Sequence, residues 1–237
     1  MFMSSQKVVE KTKAGIFQIG SIDSQDHFQN NGTGFIVHKN GLMITCNHVV
    51  ENLHNIAVIT ENFLKTKRVP LGVKIEMQNA QIDLATLKLT GFGFQHMGLK
   101  PLEMGRPEKT KVGDEVFFWG YPLDAFTQTF HKGMISAILL SQNNRKLFQI
   151  DASINKGNSG GPLLDSEGKV IGVINRRMGS IGERLKQIIK NKNKTHSYFT
   201  GAEIDIIDTF DEIIKKLDST INVGIGYAIS IDSIADL

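Results

Sequence analysis

One loop, Gly157-Asn158-Ser159-Gly160-Gly161-Pro162, indicates the architecture to be expected of this chain. It lies between two apolar runs, residues 147–150 and 169–174, that are typical of β-strands. Glycines allow backbone conformations that other residues avoid, and they let a substrate approach the main chain. The N–H groups of Gly157 and Ser159 are therefore candidates to stabilise an oxyanion beside the serine hydroxyl. An ordinary turn between two strands has the same composition, so a catalytic interpretation requires a base for the serine.

A histidine and an aspartate that could serve as the base and its orienting carboxylate occur earlier in the chain. His48 follows the apolar run 42–45, and Asp83 precedes the apolar run 84–89. Taken singly, such a histidine is more often a hydrogen-bonded structural residue, and such an aspartate a turn or edge residue. Together with Ser159 they occur in the chain order of a chymotrypsin-type triad. In that triad His48 would take the proton from Ser159, and Asp83 would fix the tautomer of the imidazole and stabilise its cation.

Composition narrows the class of protein. With 237 residues and 41% hydrophobic content, the chain is long enough for one large β domain or two small ones. The net charge of +3 gives no case for nucleic acid as a partner, and no apolar run is long enough to span a membrane.

Cys46 is the only cysteine, so no internal disulfide can form, and the first residues lack the pattern of a secretory signal. We expect a soluble protein that is cytoplasmic, or periplasmic or secreted if a leader has been removed.

Short apolar runs separated by Gly, Asn and Pro predict an all-β fold, either a barrel or a sandwich. The predicted strands are residues 14–19, 32–38, 42–45, 56–60, 69–77, 84–89, 116–119, 133–140, 147–150, 169–174 and 224–229. Asn40-Gly41 predicts a hairpin between the second and third of these. Residues 91–107 have little strand character and form the expected linker between an N-terminal half, residues 14–90, and a C-terminal half, residues 112–231.

Residues 176–222 interrupt the strand pattern. Apolar residues recur there at helical spacing, first on a basic segment and then on an acidic one: Ile181, Leu185, Ile188 and Ile189, then Phe210, Ile213, Ile214 and Leu217. The simplest interpretation is two surface helices with solvated charged faces. A second hypothesis is that this helical insertion gates the substrate or binds a regulatory partner.

Several segments, in order and at similar spacing, resemble trypsin-like serine proteases of the HtrA/Deg type. They include Gly34-Phe35-Ile36-Val37, Thr45-Cys46-Asn47-His48-Val49-Val50, Asp83-Leu84-Ala85-Thr86, Trp119-Gly120-Tyr121-Pro122 and most of residues 148–163. The resemblance covers most of residues 14–175 and 223–231. It implies two perpendicular six-stranded antiparallel β-barrels of the chymotrypsin type, with the active site in the cleft between them. It also implies hydrolysis of peptide bonds through an acyl-enzyme, without a cofactor or a metal.

The chain also departs from this family. Many family members carry a PDZ domain after the segment that matches residues 224–229, and we expect either a single-domain form or a sequence that stops early. The segment between residues 14 and 35 is short, so the resemblance does not extend to trimer formation or loop-controlled activation. Asn158 stands where digestive relatives have an aspartate that pairs with a freed N-terminus, and we expect no activation of that kind. The insertion 176–222 replaces a shorter loop that lies beside the specificity pocket in the family.

The resemblance assigns the substrate-binding residues of the specificity pocket to Ser153, Ile154, Asn175, Arg176, Arg177 and Gly226. No acidic residue stands at Ser153 to select Arg or Lys, and Ile154 would make the pocket shallow and apolar. We therefore predict cleavage after small or medium aliphatic residues. The two arginines favour an alternative, a preference for acidic groups nearby.

Two other functions remain open at this stage. A catalytically silent pseudoprotease would keep the fold and bind peptides without turnover. Alternatively, the chain is the protease subunit of a larger regulated assembly whose partner docks on the helices of 176–222. The leading prediction remains a serine endopeptidase that acts on protein or peptide substrates.

Overall fold

The computed structural model describes residues 3–25, 27–60, 70–90, 99–122, 127–141, 145–175 and 224–236. Twelve strands in these residues form two closed six-stranded barrels, and every pair of neighbouring strands is antiparallel. The all-β prediction and the two-barrel architecture are thereby confirmed.

The first barrel consists of six strands in the order β1-β2-β3-β6-β5-β4. Its strands are β1 Ile16–Ile22, β2 Phe28–Ile36, β3 Leu42–Cys46, β4 Ile56–Ile59, β5 Leu71–Asn79 and β6 Leu84–Leu89. Large apolar side chains from these strands, among them Phe17, Phe35 and Leu87, are fully buried inside. Closure leaves no free sheet edge in this barrel.

The second barrel has the order β10-β11-β12-β9-β8-β7. Its strands are β7 Glu115–Gly120, β8 Thr129–Leu140, β9 Lys146–Asp151, β10 Pro162–Leu164, β11 Val170–Ile174 and β12 Ile225–Ser230. The nucleophile loop, which we define as residues 152–161, joins β9 to β10 and therefore starts and ends in this barrel.

The structure differs from the strand predictions at β8, which begins at Thr129 and not at residue 133, at β10, which was not predicted, and at β2. β10 has only three residues, too few to show an alternating pattern, and its pairing of Leu163 with both Phe118 and Gly172 defines it. β2 begins at Phe28, four residues before the predicted strand 32–38. Ladder pairing with β1, from Ile22 opposite Phe28 onward, overrides the low strand propensity of Asn30 and its neighbour.

The hairpin predicted from Asn40-Gly41 joins β2 to β3. Phe35 pairs with Ile44, and the Val37 N–H donates to the Leu42 carbonyl at 2.8 Å. Gly41 adopts a φ of +91°, the left-handed region that favours glycine.

An N-terminal helix, α1 Ser5–Thr12, packs on the second barrel before the chain enters the first. The indole N–H of Trp119 in β7 donates to the Thr12 hydroxyl at 2.8 Å, and that hydroxyl donates to the Val8 carbonyl at 2.7 Å. Thr12 and Val8 are buried, and Trp119 is 3% exposed. The chain before β1 is thus a helix followed by the short 3₁₀ turn Lys13–Gly15.

Replacing Thr12 by valine should lower the free energy of unfolding by about 1–3 kcal/mol, because the buried indole N–H of Trp119 loses its acceptor. Urea denaturation would measure the change. Thr12→Ser keeps the hydroxyl and should lose much less. Equal losses in the two variants would show that packing of the methyl group, and not the hydrogen bond, holds α1 in place.

The remaining described helices are short, namely the 3₁₀ helices Pro107–Lys109 and Ile231–Asp236 and the single turn α2 Asn47–Val50. No helix among the described residues is long and apolar enough to cross a membrane. The helices expected within 176–222 lie outside the described residues.

Candidate active site

His48 lies in α2, the single helical turn that follows β3 directly. The Asn47 N–H donates to the Asp83 carbonyl at 3.0 Å, so the start of α2 is tied to the residue that precedes β6. The imidazole is 18% exposed, and part of it faces solvent. The sequence predicted that His48 follows a strand, and the structure makes it the second residue of a helical turn.

Asp83 binds His48 at two points. Its Oδ2 lies 2.6 Å from the His48 Nδ1, and its Oδ1 accepts the His48 backbone N–H at 2.8 Å. An ionised carboxylate only accepts hydrogen bonds, so Nδ1 carries the hydrogen and the lone pair remains on Nε2. Asp83 has a φ of +54°, a left-handed conformation that aspartate and asparagine tolerate better than other side chains.

The charge of Asp83 is stabilised by its surroundings. Burial alone would raise the pKa of this carboxyl, but the hydrogen bonds and positive charge supplied by His48, together with a hydrogen bond from Asn175, outweigh burial and lower the pKa below its usual value of 3.8. Asp83 is therefore ionised at neutral pH, the state in which it orients the imidazole.

The carbonyl of Ile174, at the end of β11, joins three parts of the site. It accepts the backbone N–H of Gly160 at 2.8 Å and the thiol of Cys46 at 3.3 Å. Cys46 is two residues before His48, and Gly160 directly follows Ser159. The nucleophile loop is thereby held against the end of β3, from which α2 and the imidazole extend.

Ser159 also lies beside the helix of His48. A Cβ on Gly32 of β2 would stand 2.7 Å from the Val49 side chain and 2.9 Å from the Ser159 carbonyl oxygen. The Ser159 carbonyl accepts the Thr33 N–H at 2.8 Å. The residue after His48 and the backbone of Ser159 are therefore both in contact with the same residue of β2, and Ser159 is only 4% exposed.

Two glycines give the nucleophile loop its shape. Gly157 and Gly160 have φ values of +96° and +85°, and a Cβ on either would overlap a carbonyl oxygen, that of Tyr121 or that of Thr33. No other residue fits these positions. Within the described part of the chain, the Gly157 N–H has no hydrogen-bond acceptor.

Comparison with known proteins identifies the family. The family model of the trypsin-like peptidase domain matches residues 32–173, from β2 to β11, which include His48, Asp83 and Ser159. The chain belongs to the trypsin-like peptidase family. Its HtrA/Deg resemblance is confirmed by curated relatives of that type.

Two curated relatives of this trypsin-like peptidase illustrate the match. A probable periplasmic serine endoprotease, DegP-like, from Pseudomonas putida is 34% identical over 154 residues, which cover 64% of this chain and 30% of the relative. The magnetosome formation protease MamE from Magnetospirillum gryphiswaldense is 34% identical over 150 residues, which cover 61% of this chain and 18% of the relative. The matched part is thus less than a third of either relative.

Among solved structures, the HtrA-type protease AlgW with tripeptide superposes with a TM-score of 0.67 at 21% identity. The superposition covers 99% of the peptidase and 62% of AlgW. At this identity the likeness establishes the fold.

The residues predicted to line the specificity pocket are only partly brought together. Ile154 is 6% exposed, and its side chain occupies the space that a Cβ on Gly226 would need. Ser153 is exposed beside it. Arg176 and Arg177 lie outside the described residues.

Asn175 has a contact that sequence reasoning missed. Its side-chain N–H donates to Asp83 Oδ2 at 2.8 Å, on the same oxygen that accepts the imidazole N–H. The predicted pocket residue therefore directs its side chain to the carboxylate, and any role of its backbone in binding substrate stays a prediction. Nothing in the sequence linked position 175 to position 83, because the contact joins two barrels.

Cys46, His48 and Asp83 have potential metal-ligand atoms within 4.8 Å of one another, which is the spacing of a candidate metal site. Two ligands at tetrahedral Zn²⁺ would stand about 3.4 Å apart, whereas Nδ1 and Oδ2 are at the hydrogen-bond distance of 2.6 Å. Burial, and then the charge of Asp83, raise the pKa of the Cys46 thiol well above its usual value, which disfavours the thiolate that metals require. The distances fit a hydrogen bond between His48 and Asp83, with the Cys46 thiol buried nearby.

Proposed function

We propose that this trypsin-like peptidase is a serine endopeptidase that hydrolyses peptide bonds through an acyl-enzyme, with His48, Asp83 and Ser159 as its triad. The observation that carries the proposal is the 2.6 Å bond between His48 Nδ1 and Asp83 Oδ2, beside a nucleophile loop that is held against the same strands. The names of the relatives, which are serine endoproteases, support the same activity.

Each side chain has a defined step in this reaction. The lone pair on His48 Nε2 accepts the proton of the Ser159 hydroxyl as Oγ attacks the scissile carbonyl. The imidazolium is stabilised by Asp83 and then gives the proton to the leaving amine. A water molecule, activated by the same imidazole, attacks the acyl-enzyme and releases the second product.

The tetrahedral intermediates need donors for their negative oxygen. We assign this role to the backbone N–H groups of Gly157 and Ser159, which flank one peptide unit of the loop. The absence of another acceptor for the Gly157 N–H among the described residues supports the assignment. Preorganised donors of this type contribute about 100-fold or more each to kcat.

The specificity proposal is cleavage after small or medium aliphatic residues. Ile154 covers Gly226, which leaves little depth for a long side chain, and the Ile154 side chain is apolar. Arg176 and Arg177, whose preference for acidic groups is the alternative, are outside the described residues and remain candidates for neighbouring subsites.

Digestion of a denatured protein, followed by mass-spectrometric mapping of the new termini, would test both activity and specificity. We expect cuts after Ala, Val, Ile or Leu, and no cuts by the Ser159→Ala protein purified in the same way. Cuts predominantly after Arg, Lys or Phe would overturn the pocket assignment while leaving the activity intact. Peptide binding without any cut in the wild type would instead favour a silent pseudoprotease.

Three wider proposals concern the domain bounds, a partner and the compartment. The N-terminal and C-terminal barrels are assigned to residues 14–90 and 112–231. A regulatory partner is proposed for the insertion 176–222, which lies outside the described residues. Of the compartments that the sequence left open, the names of the relatives favour the periplasm.

A further inference from the structure

Thr33 is a fully buried polar residue of the first barrel that contacts the nucleophile loop of the second. Its backbone N–H donates to the Ser159 carbonyl at 2.8 Å, and its hydroxyl donates to the Gly157 carbonyl at 2.6 Å. The same hydroxyl accepts the Tyr121 N–H at 3.2 Å. One residue of β2 therefore binds the carbonyl groups of both residues whose N–H groups are assigned to the oxyanion site.

The loop needs such an external partner because its own sequence does not fix it. Gly157 has no side chain to restrict rotation about its backbone bonds, and its φ of +96° is one of several conformations open to glycine. A hydrogen bond on its carbonyl restricts the peptide plane that follows, and close packing restricts the residue itself, since a Cβ would overlap the Tyr121 carbonyl.

The carbonyl of Thr33 extends this contact to the other end of the loop. It accepts the Thr45 hydroxyl at 2.7 Å, and a Cβ on Gly160 would overlap both of these oxygen atoms. Loop residues 157 to 160 thus fit against a surface formed by Thr33, Thr45 and Tyr121. Two of these three residues belong to the first barrel.

We propose that Thr33 is a positioning residue for the oxyanion site: its hydroxyl holds the Gly157 carbonyl so that the N–H groups of Gly157 and Ser159 point at one spot. This inference rests on the proposed function and adds a residue to it. The geometry of the oxyanion site would then depend on contact between the barrels, because the Thr33 hydroxyl belongs to β2 and the Gly157 carbonyl that accepts its hydrogen bond belongs to the nucleophile loop.

The hydroxyl can be removed while the rest of the contact is kept. Thr33→Val has nearly the same shape and retains the backbone N–H that binds Ser159, but it removes the hydrogen bonds that the hydroxyl makes with the Gly157 carbonyl and the Tyr121 N–H. Thr33→Ser retains the hydroxyl and loses only a methyl group. A small displacement of a catalytic group costs up to about 100-fold in rate, so the valine variant should show a defect in kcat.

Steady-state kinetics on a peptide substrate, at equal concentrations of folded protein, is the test. We expect Thr33→Val to lower kcat by about 10–100-fold with KM changed by less than about 3-fold, and Thr33→Ser to stay within about 3-fold of wild type. Thr12→Val, a buried threonine replaced in the same way but without a hydrogen bond to the Gly157 carbonyl, is the matched control for a loss of stability alone. In a Ser159→Ala background, Thr33→Val should leave the dissociation constant of the peptide within about 3-fold, because ground-state binding does not use the oxyanion donors.

Several outcomes would overturn the inference. A Thr33→Val protein with the kcat of wild type, or a Thr33→Ser protein as slow as the valine variant, would show that the hydroxyl does not position the site. Thr33→Ala is measured in parallel in case the valine variant does not fold. A wild-type protein without turnover or labelling by an active-site probe would mean that the proposed function has failed, and this inference with it.

Discussion

Ser159→Ala should lower kcat for peptide hydrolysis by about a millionfold, to a rate near the detection limit of most assays. The alanine variant has no Oγ to attack the carbonyl, so no acyl-enzyme can form. What remains is the contribution of substrate binding and the oxyanion donors, about 10³–10⁴ over the reaction in water. Single-turnover assays at high enzyme concentration, on material free of host proteases, would measure the residual rate.

The fold of this variant should be intact. The described hydrogen bond of Ser159 to the first barrel uses its backbone carbonyl, which alanine retains. Urea unfolding should therefore give a midpoint close to that of wild type. A folded Ser159→Ala protein that kept more than about 1% of wild-type kcat would contradict the role of this residue as nucleophile.

Asp83→Asn should lower kcat by about 10⁴-fold at neutral pH. An amide at this position can donate a hydrogen bond to Nδ1, which then places the hydrogen on Nε2, where the lone pair is needed. Asparagine is the appropriate substitution because it tolerates the φ of +54°, whereas alanine would add backbone strain to the chemical defect. Steady-state kinetics from pH 6 to 9 would measure the loss. A decrease of less than about tenfold would show that Asp83 does not set the tautomer.

The same pair of proteins gives a second readout, in stability. The pKa of Asp83 is lower in the folded protein than its usual value of 3.8. Burial raises this pKa, but the hydrogen bonds and charge of His48, together with a hydrogen bond from Asn175, outweigh the effect of burial. A depressed carboxyl pKa stabilises the fold above the unfolded value, and this contribution disappears as the pH falls through the folded value. The stability advantage of wild type over Asp83→Asn that comes from this carboxyl should therefore decrease as the pH falls below about 3.8.

The sequence predicted the parts of this molecule that depend on local pattern or on chain order. Strands such as β6 Leu84–Leu89 alternate with clear turn signals and were placed with correct bounds. The order of His48, Asp83 and Ser159 pointed to one triad type, and the 2.6 Å bond between the first two is consistent with it.

What the sequence did not predict depends on contacts between distant segments. Asn175 was expected in the specificity pocket, but the end of β11 lies against β3, and the Asn175 amide donates to Asp83. The sequence predicted Thr33 only as a strand residue. Its hydrogen bond to the nucleophile loop depends on how the two barrels pack together. β10 was missed because three residues show no period, and only its neighbours in the barrel define it.

The central claim is that the hydroxyl of Ser159 is activated by the His48 imidazole in the folded protein. Labelling with a fluorophosphonate probe, followed by intact mass and peptide mapping, tests it most directly, because the probe reacts with activated serines. We predict one adduct per wild-type molecule, located on Ser159, no adduct on Ser159→Ala, and much slower labelling of Asp83→Asn. Folded wild-type protein that takes up no probe, or takes it up equally after Ser159 is replaced, would contradict the account.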